Sequence, residues 1–149
     1  MDKLGGAFSF QGRLNRAPYW QGTILAWMAV VVLGFIASGL GTLFAPLGLL
    51  AIVPLLAGMV VVLSLLVRRL HDRGKSGWWL LLMYLPPLLL SALGAVVSAS
   101  EPDVGSTIRA LSLPFSIWMF VDLGCLRGTM GHNRFGPDPL QGEMVEVFS

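Results

Sequence analysis

Long stretches without charge dominate the pattern of this chain. No Asp, Glu, Lys or Arg occurs from Ala17 to Val67, and a run of roughly fifty residues accommodates two helices where about 20 cross a bilayer core. A second uncharged run goes from Ser76 to Ser100, and a third, from Ala110 to Leu126, is broken only by Asp122. Each fits one further span. The pattern predicts an all-α integral membrane protein with four transmembrane helices. They form a single domain over 1–149, with spans near 18–40, 47–67, 77–98 and 108–126 and a polar tail at 128–149.

Local signals place the ends. Asn15 can cap the first helix, with Pro18 in its first turn, where a missing N–H costs nothing. Ser38-Gly39-Leu40-Gly41-Thr42 and Pro46 predict a turn. Ser76 is expected to cap the third span, which Pro86 and Pro87 should kink. Glu101 to Ser106 reads as a polar turn, with Ser106 or Thr107 capping the fourth span and Gly128 following its end. Gly131, Gly136, Pro137 and Pro139 predict an ordered turn and then a looser end. Tyr19, Trp20, Trp78 and Trp79 fall where amphipathic rings mark an interface, while Trp27 and Trp118 are expected to pack. Gly34 with Ser38 and Gly94 with Ser98 are small-residue pairs suited to close helix contact.

Composition agrees with this pattern. Of 149 residues 55% are hydrophobic and 12% charged, against about 25% charged in soluble domains. The first apolar run is too long for a signal peptide, so the N-terminus is expected to be retained. The single cysteine, Cys125, forms no internal disulfide and is expected to be a small buried residue.

Charge sets the orientation. Lys3, Arg13, Arg16, Arg68, Arg69, Arg73, Lys75, Arg127 and Arg134 fall on one side of the spans and Arg109 alone on the other. The positive-inside rule makes the first side cytoplasmic, both termini included.

The stretch Arg68-Arg69-Leu70-His71-Asp72-Arg73-Gly74-Lys75-Ser76-Gly77-Trp78-Trp79 concentrates this charge. Gly74-Lys75-Ser76 looks like the end of a nucleotide-binding loop, but arginine occupies position 69, where that loop needs glycine, and no buried strand precedes it. Gly74 instead suits a turn out of the second helix. If that helix continues past Val67, Asp72 lies within ion-pair reach of Arg68 and Arg69. His71, Asp72 and His132 lack a metal-ligand spacing. No cofactor, metal or nucleic-acid partner is expected. Asp122 is an acid inside an apolar run, near the end of its span, and pairing with Arg127, Arg73 or Arg16 is its expected role.

Three segments carry a resemblance: Phe10 to Trp20, with the order GR-x-x-R-x-x-YW; Arg68 to Trp79; and Gly131-His132-Asn133-Arg134-Phe135-Gly136-Pro137-Asp138-Pro139. Together, over about Phe8 to Pro139, they resemble the bacterial inner-membrane family catalogued as domain of unknown function 805. That resemblance implies a small multi-pass plasma-membrane protein and brings no assigned activity. All three segments fall on the side expected to be cytoplasmic, so they are expected to converge in one polar cap. Arg13, Arg16, Arg68, Arg69, Arg73, Lys75 and Arg134 supply donors; Asn15, His71, Asp72, Asn133 and Asp138 supply partners, with Asp72 and Asp138 pairing to arginines of other segments.

The leading functional expectation is a non-enzymatic membrane protein whose cap contacts anionic lipid headgroups or a membrane partner, a second copy of the chain included. A small transporter or exporter subunit using Asp122 is the alternative. An enzyme acting on lipid headgroups through His71, Asp72 and Asp138 is the third.

Overall fold

The computed structural model describes residues 6, 8–44, 49 and 52–141. Lys3, Pro46, Leu47 and the tail beyond Gln141 lie outside them. Helix α1 spans Arg16–Leu43, α2 Ile52–Asp72 and α3 Trp79–Val97. The fourth apolar stretch, Pro102–Cys125, comprises α4 (Pro102–Ala110), α5 (Leu113–Met119) and a π-helical turn, Phe120–Cys125. All four stretches are long and apolar enough to cross a membrane.

Several ends differ from expectation. Asn15 Oδ1 does accept from the Ala17 N–H, at 2.9 Å. The expected turn at Ser38–Thr42 is helical instead. Ser38 and Thr42 donate to the carbonyls of Phe35 and Gly39, three residues back, so neither hydroxyl needs an interruption. Ser76 makes no side-chain cap; its carbonyl accepts the Trp79 N–H. α3 runs through Pro86 and Pro87. Pro102 starts α4, with Asp103 favourably placed in the first turn, so Ser106 and Thr107 lie inside the helix and donate to the Asp103 carbonyl.

α1 pairs with α2 and α3 with α4. In the second pair the backbones nearly touch: a Cβ on Gly94 would lie 2.7 Å from the Gly105 carbonyl oxygen, and one on Gly105 2.6 Å from that of Gly94. The pair Gly94 and Ser98 is thus used, whereas Gly34 has open space around it. The buried apolar residues gather at one end of the bundle: Tyr19, Leu65, Leu66, Leu70, Met83 and Leu123. They come from the start of α1, the end of α2, the start of α3 and the end of the fourth stretch. Farther along, α1 exposes Ile24, Leu25, Met28 and Phe35, and Trp27 is exposed rather than packed. Lipid therefore solvates most of the helix surface, and protein packing is concentrated beneath the polar end.

Candidate polar cap and its family

α2 continues past Val67 because its last turn finds polar partners at the surface. Arg69 and Asp72 are both buried. Arg69 Nη1 donates to Asp72 Oδ2 at 2.5 Å, one turn on. Arg13, from the segment before α1, meets Asp72 Oδ1 through Nε and Nη2, each at 3.1 Å. The carboxylate thus holds two guanidinium groups, one from its own helix and one across the cap, and both oxygens are occupied. Buried charges persist where they are paired and hydrogen-bonded in this way. Arg68, the other expected partner, does not reach it; the Arg68 Nε is buried without an acceptor among the described residues.

The arginines bind backbone more than they bind acids. The last carbonyls of a helix have no partner within it, and here they end in a π-turn whose Leu126 N–H reaches back to the Val121 carbonyl. Arg69 Nε donates to Leu123 O at 2.7 Å and Nη2 to Leu126 O at 2.6 Å. Trp20 Nε1 donates to Gly124 O at 3.1 Å, and Arg16 Nη1 to Cys125 O at 3.0 Å. Arg73 Nη1 donates to Arg127 O. Five successive carbonyls, Leu123 to Arg127, are each capped by a side chain from α1, α2 or the loop after α2. Cys125 is exposed, not buried, and contributes its carbonyl.

Arg13 does the same for the tail, donating to Gly131 O at 2.6 Å, to Gly136 O and to Thr129 O. Thr129 returns its N–H to the Asp72 carbonyl at 2.8 Å. Asn133 Nδ2 donates to His71 O and Thr129 Oγ1. His71 stacks on Phe135 at 3.9 Å, and its Nδ1 lies 3.2 Å from Gly12 O; a carbonyl only accepts, so Nδ1 carries the proton. Arg134 lies over the Phe135 ring and donates to Gly74 O. Gly74 itself turns with φ +72°. A side chain at Gly128 would overlap the Asp72 carboxylate, so that glycine serves the approach of tail to acid.

One expected pairing is corrected. Among the described residues Asp138 meets no arginine; its oxygens accept the N–H groups of Gly131 and Leu140, both at 3.1 Å. A short acid facing nearby backbone donors satisfies itself locally. Those N–H groups, Leu140's first, outweigh partial burial and with the positive field of Arg13 and Arg127 hold its pKa below the usual carboxylate range. Of the three partners expected for Asp122, Arg73 is the one it meets, at 3.4 Å, together with Lys75 at 2.8 Å. Lys75 also lies over the rings of Trp79 and Trp118, a cation held by two faces and an acid. Among the described residues the second oxygen of Asp122 is buried without a hydrogen-bond partner. His132 is exposed.

The three segments therefore do converge, into a clasp that ties α1, α2, the fourth stretch and the tail together. The chain matches the family described as "Protein of unknown function (DUF805)" over residues 7–137. It belongs to this family. Among DUF805 relatives, the uncharacterized protein YiiR of Escherichia coli is 35% identical over 132 residues, covering 88% of this chain and 86% of its own. The inner membrane proteins YhaI and YhaH of the same organism are each 31% identical over 134 residues, covering 89% and 87% of this chain and 87% and 86% of theirs. No solved structure matches significantly. With four spanning-length helices, this DUF805 chain is a multi-pass protein of the bacterial inner membrane.

Proposed function

We propose that the protein is a non-enzymatic membrane protein whose cap lies on the cytoplasmic side and contacts anionic lipid headgroups. The observation that carries this reading is the use of the cap's reactive groups. Both oxygens of Asp72 are held by arginines, Asp138 is held by backbone N–H groups, and His71 is stacked with one nitrogen on a carbonyl. A general acid or base needs a proton-transfer atom open to substrate, and these groups are engaged with the fold. Arg16, Arg127 and Arg134 are exposed, and Arg16 and Arg134 each use one N–H on a carbonyl and keep the rest of the guanidinium at the surface. Each contributes about 1 kcal/mol of attraction to an anionic leaflet.

The test is lipid enrichment around the full chain in bilayers of phosphatidylglycerol and phosphatidylcholine, read by mass spectrometry after mild extraction. Enrichment of phosphatidylglycerol over its bulk share is expected. A shell of bulk composition sinks the reading.

A second reading, a small exporter subunit, draws on Asp122, whose free buried oxygen sits in a π-turn, a feature frequent at functional sites. It requires proton-dependent efflux that disappears in Asp122→Asn; efflux unchanged by that substitution leaves the acid structural.

A further inference from the structure

A cleft of about 830 Å³ lies beside the clasp, between the start of α1 and the chain just after the π-turn. Ligand pockets occupy about 300–1,000 Å³. Arg16, Trp20, Arg127, Asp138 and Leu140 contribute to its walls, with Pro18 from the first turn of α1. Arg16 and Arg127 both line the cleft, and the Arg16 guanidinium binds the Cys125 carbonyl, two residues before Arg127. Arg16 uses only Nη1 in that bond, and the Arg127 side chain makes no hydrogen bond or ion pair among the described residues. A guanidinium carries five N–H donors in a fork that matches phosphate.

The charge balance favours an anion. Arg16, Arg69 and Arg127 outnumber Asp72 and Asp138 in the walls by one. Asp72 is neutralised by Arg69 and Arg13, and each oxygen of Asp138 already accepts a backbone N–H. The first turn of α1 holds no acidic residue, so the positive end of a 28-residue helix adds to the field. The remaining walls favour an amphiphile over a free ion. Pro18, Leu140 and the Trp20 indole, whose N–H is fixed on Gly124 O, present apolar surface next to the two arginines.

We propose that this cleft holds the phosphate of one anionic phospholipid headgroup, gripped by Arg16 and Arg127, with the glycerol end against Trp20. This rests on the lipid-contact reading above and adds a discrete site to it.

The experiment is native mass spectrometry of the full chain extracted from bilayers with equal phosphatidylglycerol and phosphatidylcholine, comparing wild type, Arg127→Gln, Arg16→Gln/Arg127→Gln and a control, Arg109→Gln, an exposed cation at the opposite end of the spans. Arg127 makes no side-chain contact that folding needs, so its single variant keeps the test valid if the double variant is damaged. One strongly retained phosphatidylglycerol per chain is expected in wild type and control, released about tenfold more readily in Arg127→Gln. Phosphatidylglycerol enriched in all four proteins, with equal retention, overturns the cleft and leaves the general lipid reading standing. No preference in wild type overturns both. Displacement of the lipid by millimolar inorganic phosphate as effectively as by phosphatidylglycerol micelles shows a free-phosphate site and overturns the lipid assignment.

Discussion

Two buried acids stand at the same end of this bundle, and they are held differently. Asp72 takes a guanidinium on each oxygen, from Arg69 and Arg13, whose side chains are 0% and 1% exposed. Asp122 takes Lys75 and Arg73 on one oxygen, side chains that are about one-fifth exposed, and among the described residues its other oxygen has no partner. Asp72 joins segments distant in sequence, Arg13 and the tail at Thr129 included, whereas Asp122 joins the loop after α2 to the fourth stretch alone. A carboxylate at the centre of several backbone and guanidinium contacts is a structural keystone. One that is half satisfied at the rim contributes less to stability and retains capacity to respond.

The largest effect is expected at that keystone. Asp72→Ala leaves Arg69 and Arg13 buried without their counter-charge, a change of about 3–5 kcal/mol, read as loss of folded protein in detergent melting and reduced membrane expression. Stability within 1 kcal/mol of wild type, on the same order as an exposed pair, would show that the two acids do not differ. Next comes Gly128→Val, which places a side chain on the Asp72 carboxylate. Overpacking of this kind costs about 1–3 kcal/mol, and protease sensitivity of the 129–141 segment should rise with it. Asp122→Asn keeps an acceptor for Lys75 and is expected to cost about 1 kcal/mol. A loss as large as that of Asp72→Ala contradicts the ranking.

The smallest effect concerns acid pH. Asp138 has a folded pKa below its ordinary value, so its contribution is present above the ordinary carboxylate range and lost as pH falls through the lowered value. The protection of the Gly131 and Leu140 amides, the two N–H groups on its oxygens, relative to the intrinsic exchange rate at each pH should hold from neutral pH downward and fall only in strong acid. Loss of that protection between pH 7 and 5, well above the titration of any such carboxylate, would falsify its attachment there.

The legible part of the site was the set of charged residues and its side of the membrane-spanning stretches. Arg13, Arg69 and Asp72 could be read as partners because ionised groups in a largely apolar chain must find each other or water. What escaped was the main acceptor. Backbone carbonyls occur at every residue, so nothing in the letters Leu-Gly-Cys-Leu-Arg at 123–127 marks them as free. Only the π-turn frees them, and only the approach of Arg16, Trp20, Arg69 and Arg73 closes them. The Asp138 pairing failed for a related reason, since a short acid meets nearby N–H groups before a distant guanidinium.

By itself the sequence determined four apolar helices, because hydrocarbon length and the cost of burying charge are properties of composition over some twenty residues. It also determined that every cation but Arg109 falls on one side of the spans. Tertiary structure alone decided which charges become internal. That outcome depends on distances among segments up to 123 residues apart, as between Arg13 and Gly136, where an error of one helical turn exchanges a buried ion pair for a solvated side chain.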